Sequence, residues 1–165
     1  MNDRVVHPFM PIYNEESKIL ILGSFPSVKS REGEFYYHHP QNRFWKVISS
    51  VYQEDLPISI EEKKELLLDK FIAVWDVIKS CEIIGSSDSS IRNVIPNDLT
   101  MILEGANIKC IIANGGTAHR LYMKYIFPVT EREILKLPST SPANAAFSLE
   151  KLTREWSSII NITGR

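Results

Sequence analysis

Three short apolar runs and a fourth, shorter strand, each released into a loop of small or polar residues, constrain this chain more than any other feature. Lys18–Leu22 reads Lys-Ile-Leu-Ile-Leu and stops at Gly23, and Phe71–Ile78 reads Phe-Ile-Ala-Val-Trp-Asp-Val-Ile. Ile108–Ala113 is closed by Asn114-Gly115-Gly116, and the shorter Glu133–Leu137 runs into Pro138. An unbroken apolar run of about 4–8 residues suits a strand covered on both faces, as in parallel sheets.

Helical signals lie between these runs. Phe44, Trp45, Ile48 and Tyr52 recur at helical spacing within Asn42–Tyr52, and Ser59 is an N-cap candidate followed by Glu61 and Glu62. Asn97 or Asp98 is placed to cap a helix through Leu103 that stops near Gly105. Thr117–Tyr125 reads as a helix, and so does Ser148–Ile160, with Leu152, Trp156 and Ile159 on one face. Ser24–Pro40 and Ser80–Asn97 read as loops. Strands alternating with helices predict an α/β fold: a three-layer α/β/α sandwich around a short, mostly parallel four-stranded central sheet. At 165 residues the chain is expected to form a single domain over 1–165.

In open α/β sheets ligands bind beyond the carboxyl ends of the strands. Three loops leave such ends here: Gly23–Pro40, Ser80–Asn97 and Pro138–Ala145. The segment Tyr36-Tyr37-His38-His39-Pro40-Gln41-Asn42-Arg43-Phe44-Trp45 gathers aromatic rings, two histidines, an amide and an arginine at a helix start. Such rings can stack on a nucleobase, and Arg43 is suited to a phosphate, whereas Phe44 and Trp45 read as the core face of their helix. Gly23–Ser27 also reads as an ordinary strand-exit turn. Asn114 is placed to pair with a base edge, but supporting the Asn-Gly-Gly turn is the stronger reading. Asp76 and Asp88 are candidate general bases, and Asp88 equally a turn or helix cap.

Composition sets limits. A net charge of −1 does not mark a nucleic-acid binder, so such a role has to come from local chemistry or a basic face hidden in the total. Cys81 and Cys110 are isolated, which argues against a zinc or redox pair and for buried thiols. There is no Gly-x-x-x-x-Gly-Lys-Ser/Thr, no Gly-x-Gly-x-x-Gly and no Gly-x-Ser-x-Gly. No apolar stretch approaches the ~20 residues needed to cross a bilayer, and Met1–Pro11 has no signal-like apolar region. A cytoplasmic protein without metal or cofactor is the expectation.

Taken together, Gly23–Ser27, Tyr36–Trp45 and Pro138–Ala145 resemble the hypoxanthine-DNA (deoxyinosine) glycosylases of the uracil-DNA glycosylase superfamily. The middle region, Trp75-Asp76-Val77, Ser80-Cys81-Glu82 and Asp88-Ser89-Ser90-Ile91, resembles the same family, and the likeness spans nearly the whole chain. His39–Val47 is also similar to the mismatch-specific uracil/thymine-DNA glycosylases. The resemblance implies a uracil-DNA glycosylase-like fold and a monomeric enzyme that flips a deaminated base from DNA and hydrolyses its glycosidic bond. It implies Asn42 as the catalytic residue and a base pocket of Gly23, Ser24, Phe25, Tyr37 and Asn114. Pro26, Ser27, Ser139, Thr140, Ser141 and Asn144 are implied to contact DNA. Phe25 stands where several relatives carry a catalytic aspartate or asparagine, and the second motif, Leu137–Pro142, lacks a histidine. Two alternatives remain: an enzyme of the same fold acting on uracil or mismatched thymine, and a non-catalytic α/β domain binding a nucleotide or partner.

Overall fold

The computed structural model describes residues 4–164. Its four-stranded sheet has the order β3-β2-β6-β7, with β2 Ile19–Gly23, β3 Ile72–Asp76, β6 Cys110–Asn114 and β7 Ile134–Leu137, every pairing parallel. All residues of β2 and β3 are buried, as apolar runs without alternation require.

The helices are α1 Val28–Gly33, α2 Phe44–Val51, α3 Ile60–Asp69, α4 Thr100–Gly105, α5 Gly116–Tyr125, α6 Phe127–Thr130, α7 Leu149–Trp156 and α8 Ile160–Thr163. From β2 the chain passes through α1–α3 to β3 on one side. From β3 it crosses back over β2 to β6, and through α5 and α6 it continues to β7. Parallel crossovers are right-handed, so these opposed directions put α2 and α3 on one face and α5 on the other. The result is three layers. The reversal falls between β2 and β6, and the crevice at such a switch point opens beyond Gly23 and Asn114.

Several local signals hold. Ser59 caps α3 with a reciprocal capping box to Glu62. The N-cap position of α4 falls to Leu99 rather than to Asn97 or Asp98, although Asp98 Oδ1 accepts from Thr100 N at 2.9 Å just ahead of the helix. The final helix is interrupted by a 3-10 turn at Ser157–Ile159 before α8. No helix among the described residues is long and apolar enough to cross a membrane.

Two expectations are overturned. Ser24–Pro40 is not wholly irregular, because Ser27 accepts from Ser30 N and starts α1, whose one buried residue is Ser30. Nor is Ser80–Asn97 simply a loop. The Phe71–Ile78 run divides at Val77 into β3 and a new strand, β4 Ile78–Glu82. With β1 Arg4–Val6 and β5 Arg92–Pro96, β4 forms an antiparallel sheet in the order β1-β4-β5. The bend is held by buried Asn97, whose Nδ2 donates to the Asp76 and Ile78 carbonyls at 2.8 and 3.2 Å.

Candidate active site

Beyond the ends of β2, β3 and β6 lies a cavity of about 540 Å3, within the ~300–1,000 Å3 usual for small-ligand sites. Gly23, Ser24, Phe25, Tyr37, Asn42 and Asn114 all line it, and so do Pro26, Ser27, Ser139, Thr140 and Ser141. Asn144 lines an adjoining hollow. The three stretches singled out from sequence therefore meet at one place.

A hydrogen-bond relay joins them. Asn114 Nδ2 donates to Thr140 Oγ1 at 3.0 Å, and Thr140 Oγ1 donates to Asn42 Oδ1 at 2.9 Å. Asn114 Oδ1 accepts from Thr140 N at 3.0 Å, so that side chain fixes the second loop to the end of β6. Asn42 Oδ1 also accepts from Phe44 N at 2.9 Å, at the start of α2. A carbonyl oxygen has two lone pairs, and both are now used. What Asn42 has to offer the cavity is its Nδ2 amide, a donor.

Tyr37 adopts φ 53°, a left-handed conformation that costs a non-glycine residue energy and recurs at functional sites. Its ring stacks on Phe44 with centroids 4.0 Å apart and an 18° interplanar angle. Burial, and then the charge of Asp76, push its hydroxyl pKa well up, while Asn114 opposes the shift, so the phenol stays protonated.

Asp76, 4% exposed, closes the cavity floor. Its Oδ2 lies 2.7 Å from His7 Nε2. Sequence gave no hint of His7, which sits 69 positions away and is brought in by the β1–β4 pairing. Asp88, at the exposed mouth, accepts from Ser24 Oγ at 3.4 Å. Partial burial raises its carboxyl above the ordinary range, opposed by Ser24, Thr117 and Arg120. Since Ser87 takes the N-cap position of the 3-10 turn Asp88–Ser90, the Asp88 side chain is not a cap.

Three expected DNA contacts are taken up inside the protein. Arg43 does not reach outward: its guanidinium donates to the carbonyls of Phe147, Ser141 and Asn144, and its N–H to Thr140 O. Thr140 is completely buried, so the relay takes the hydroxyl expected to meet phosphate. Ser27 likewise gives its oxygen to Ser30 N and its proton to Ser30 Oγ. Ser139 and Ser141 accept from Ser141 N and Ala143 N, which leaves their hydroxyl protons for a ligand.

Two glycines permit this convergence. A Cβ on Gly23 would lie 2.4 Å from Asp76 Oδ1, and one on Gly115 would lie 2.8 Å from Ser139 Cβ. Gly115 also has φ 97°. Just after it, Gly116, Thr117 and Ala118 present the amino end of α5 to the cavity, where the helix dipole favours negative charge.

The chain is similar to known proteins in sequence and in fold. The family model described as the Uracil DNA glycosylase superfamily matches residues 10–159. A protein named hypoxanthine DNA glycosylase from Methanosarcina acetivorans is 33% identical over 153 residues, covering 92% of this chain and 95% of the relative. A protein of the same name from Methanosarcina barkeri is 36% identical over 109 residues, covering 65% of this chain and 69% of the relative. A solution structure from M. acetivorans, described as a candidate uracil DNA glycosylase, superposes with a TM-score of 0.81 at 31% identity. It covers 95% of this chain and 97% of the other.

Proposed function

This chain belongs to the uracil DNA glycosylase superfamily, and from that premise we propose that it excises deaminated bases, hypoxanthine foremost, from DNA. The observation that carries the reading is the convergence of Gly23–Phe25, Tyr37–Asn42 and Ser139–Ser141 on one cavity. The nucleotide leaves the duplex at a cost of a few kcal/mol, least where it is mispaired. Its base enters beside Tyr37, and Ser139, Ser141 and the backbone of their loop hold flanking phosphates. One chain supplies the whole cavity, so a monomer suffices.

Hydrolysis joins a water oxygen to C1′, breaks the C1′–N bond and leaves the electron pair on the departing base. With Asn42 Oδ1 already doubly bonded, Asn42 acts through Nδ2, donating to the incoming water or the departing base. The proton released by water passes to a carboxylate, and the raised pKa of Asp88 suits it to that role. The amino end of α5 favours negative charge on the leaving base. Hypoxanthine, xanthine and uracil spread that charge onto carbonyl oxygens, so modest machinery releases them and spares adenine and cytosine.

Outside the cavity, Arg92, Arg120 and Lys124 line a neighbouring hollow that shares Asp88 and Ser89 with it. Arg120 and Lys124 are four residues apart on α5 and so lie on one face. This basic face, unseen in a net charge of −1, suits the DNA backbone.

The test is single-turnover excision from oligonucleotides carrying deoxyinosine, deoxyxanthosine or deoxyuridine, with alkali to reveal abasic sites. We expect cleavage at deoxyinosine, abolished by Asn42→Ala with DNA affinity retained. No cleavage at any lesion, or near wild-type excision by Asn42→Ala, overturns the proposal.

A further inference from the structure

A nucleotide turned out of a duplex leaves a gap in the base stack, and return to that gap competes with entry into the cavity. An apolar side chain that occupies the gap removes the competitor. Such a side chain has to stand in water before DNA arrives and lie at the rim of the cavity. Its backbone has to be held, so that the bases yield and not the loop.

Ile84 meets all three demands. It opens the turn Ile84–Ser87 just after β4, and it is 62% exposed although its neighbour Ile83 is buried in the core. Directly beyond it, Ser86, Ser87, Asp88 and Ser89 line the cavity. Of the exposed large apolar side chains among the described residues, Ile84 alone lies within two positions of a residue lining that cavity. The second loop presents only Pro142, Ala143, Ala145 and Ala146 to solvent, all smaller than isoleucine.

The backbone here is clamped. Ile84 N donates to Ser90 Oγ at 2.8 Å, and Ile84 O accepts from Ser87 N at 3.1 Å. Gly85 turns the chain with φ 59°, and its carbonyl accepts from Arg31 Nη2 at 2.7 Å. Ser86 Oγ accepts from Val28 N at 2.9 Å, which ties the turn to the first residue of α1. A side chain on a backbone already ordered loses less entropy on docking. The same loop also reaches the basic hollow, because Asp88 and Ser89 line it together with Arg92, Arg120 and Lys124. DNA lying on that basic face therefore passes over the loop that carries Ile84.

We infer that Ile84 is the wedge that fills the gap left in the duplex by the extruded nucleotide. The inference rests on the excision activity proposed above and deepens it. Burying most of an isoleucine side chain favours extrusion roughly tenfold.

The test measures single-turnover excision of deoxyinosine by wild type, Ile84→Ala and Ile84→Leu, from a duplex with cytosine opposite and from the same strand alone. A second readout needs no chemistry: 2-aminopurine placed beside the deoxyinosine in the duplex brightens when its neighbour leaves the stack. Ile84→Ala is expected to slow duplex excision roughly tenfold and to diminish the rise in fluorescence at saturating protein. On the single strand no pair breaks and no gap opens, so the loss stays below about threefold. Ile84→Leu keeps the apolar bulk and should hold both duplex readouts near wild type.

Duplex excision by Ile84→Ala at the wild-type rate overturns the inference. An equal loss on duplex and single strand does so too, because Ile84 then serves the general shape of the site. A fluorescence rise that Ile84→Ala reproduces in full also overturns it, whether or not any strand is cleaved. If no lesion is excised but the rise appears in wild type and shrinks in Ile84→Ala, the activity fails and the wedge stands. Absence of both excision and rise refutes both.

Discussion

Thr140→Val is the sharpest probe of how this site is held. Valine keeps the shape of threonine and removes the hydroxyl that accepts from Asn114 Nδ2 and donates to Asn42 Oδ1. Thr140 is completely buried, so water does not replace the lost group in place. Its two partners are half-buried and recover part of their hydrogen bonding from solvent. Leaving a buried polar group unmatched costs about 1–3 kcal/mol, and partial recovery puts the expected loss near 2 kcal/mol. For a chain of this length that lowers Tm by roughly 4–8 °C. Function should suffer more specifically. Asn42 keeps its bond to Phe44 N but loses its link to the second loop, so kcat for excision falls at least about tenfold with little change in DNA affinity. Thr140→Ser, which keeps both hydrogen bonds, should restore kcat. Calorimetry and single-turnover kinetics on the three proteins decide the matter. Valine and serine variants with equal rates, or a valine variant with wild-type Tm and kcat, would refute the relay.

Other outcomes follow from the same geometry. Gly115→Ala forces a Cβ to within 2.8 Å of Ser139 Cβ at φ 97°, so the second loop must shift, with excision reduced by one or more orders of magnitude and stability by about 1–3 kcal/mol. If ionised Asp88 takes the proton from water, excision falls as pH drops through its raised pKa, so the acid limb lies above the usual carboxylate range. Asp88→Asn should lower the rate and remove that limb, and a pH profile that keeps it assigns the limb elsewhere. Arg120→Gln with Lys124→Gln should flatten the dependence of DNA affinity on salt by about one to two in log–log slope, and an unchanged slope takes the DNA off this face. Arg43→Lys keeps the charge but not three carbonyl contacts, and should impair excision without changing that slope.

What was legible in the sequence, and what was not, divides by the range of the interactions involved. β2, β3 and β6 could be read because each is largely covered on both faces, and that demand leaves an unbroken apolar run; β7, at the sheet edge with Leu135 and Lys136 exposed, was legible only from its few apolar residues before Pro138. The second sheet could not be read. β1 and β5 are largely exposed and three and five residues long, so neither carries a run or an alternation. Helix α1 went unseen because only Ser30 of its six residues is buried, and no apolar stripe marks it. Of the residues that line the cavity, Gly23 and Asn114 were legible as strand ends at a switch point, Tyr37 stood out in the aromatic-rich segment Tyr36–Trp45, and Asn42 came from the family resemblance. His7 was not legible, since nothing local distinguishes a histidine that will meet an aspartate 69 positions later.

The misread residues carry the more general point. Arginine and threonine beside a DNA-facing loop look like phosphate contacts, because residue type records what a side chain can do rather than what reaches it first. Arg43 is reached by three carbonyls of the second loop, and Thr140 by two asparagines. The first loop carries Phe25 in place of a motif aspartate, and the second carries no histidine. With the assigned base, Asp88, at the exposed mouth, much of the rate has to come from donors and dipoles held in place before the nucleotide arrives. Neutral amides do that only if their orientation is fixed, and fixing them takes bonds from residues that would otherwise face the DNA. A wedge or phosphate contact added to this loop at the expense of Arg43 or Thr140 should therefore raise affinity and lower kcat.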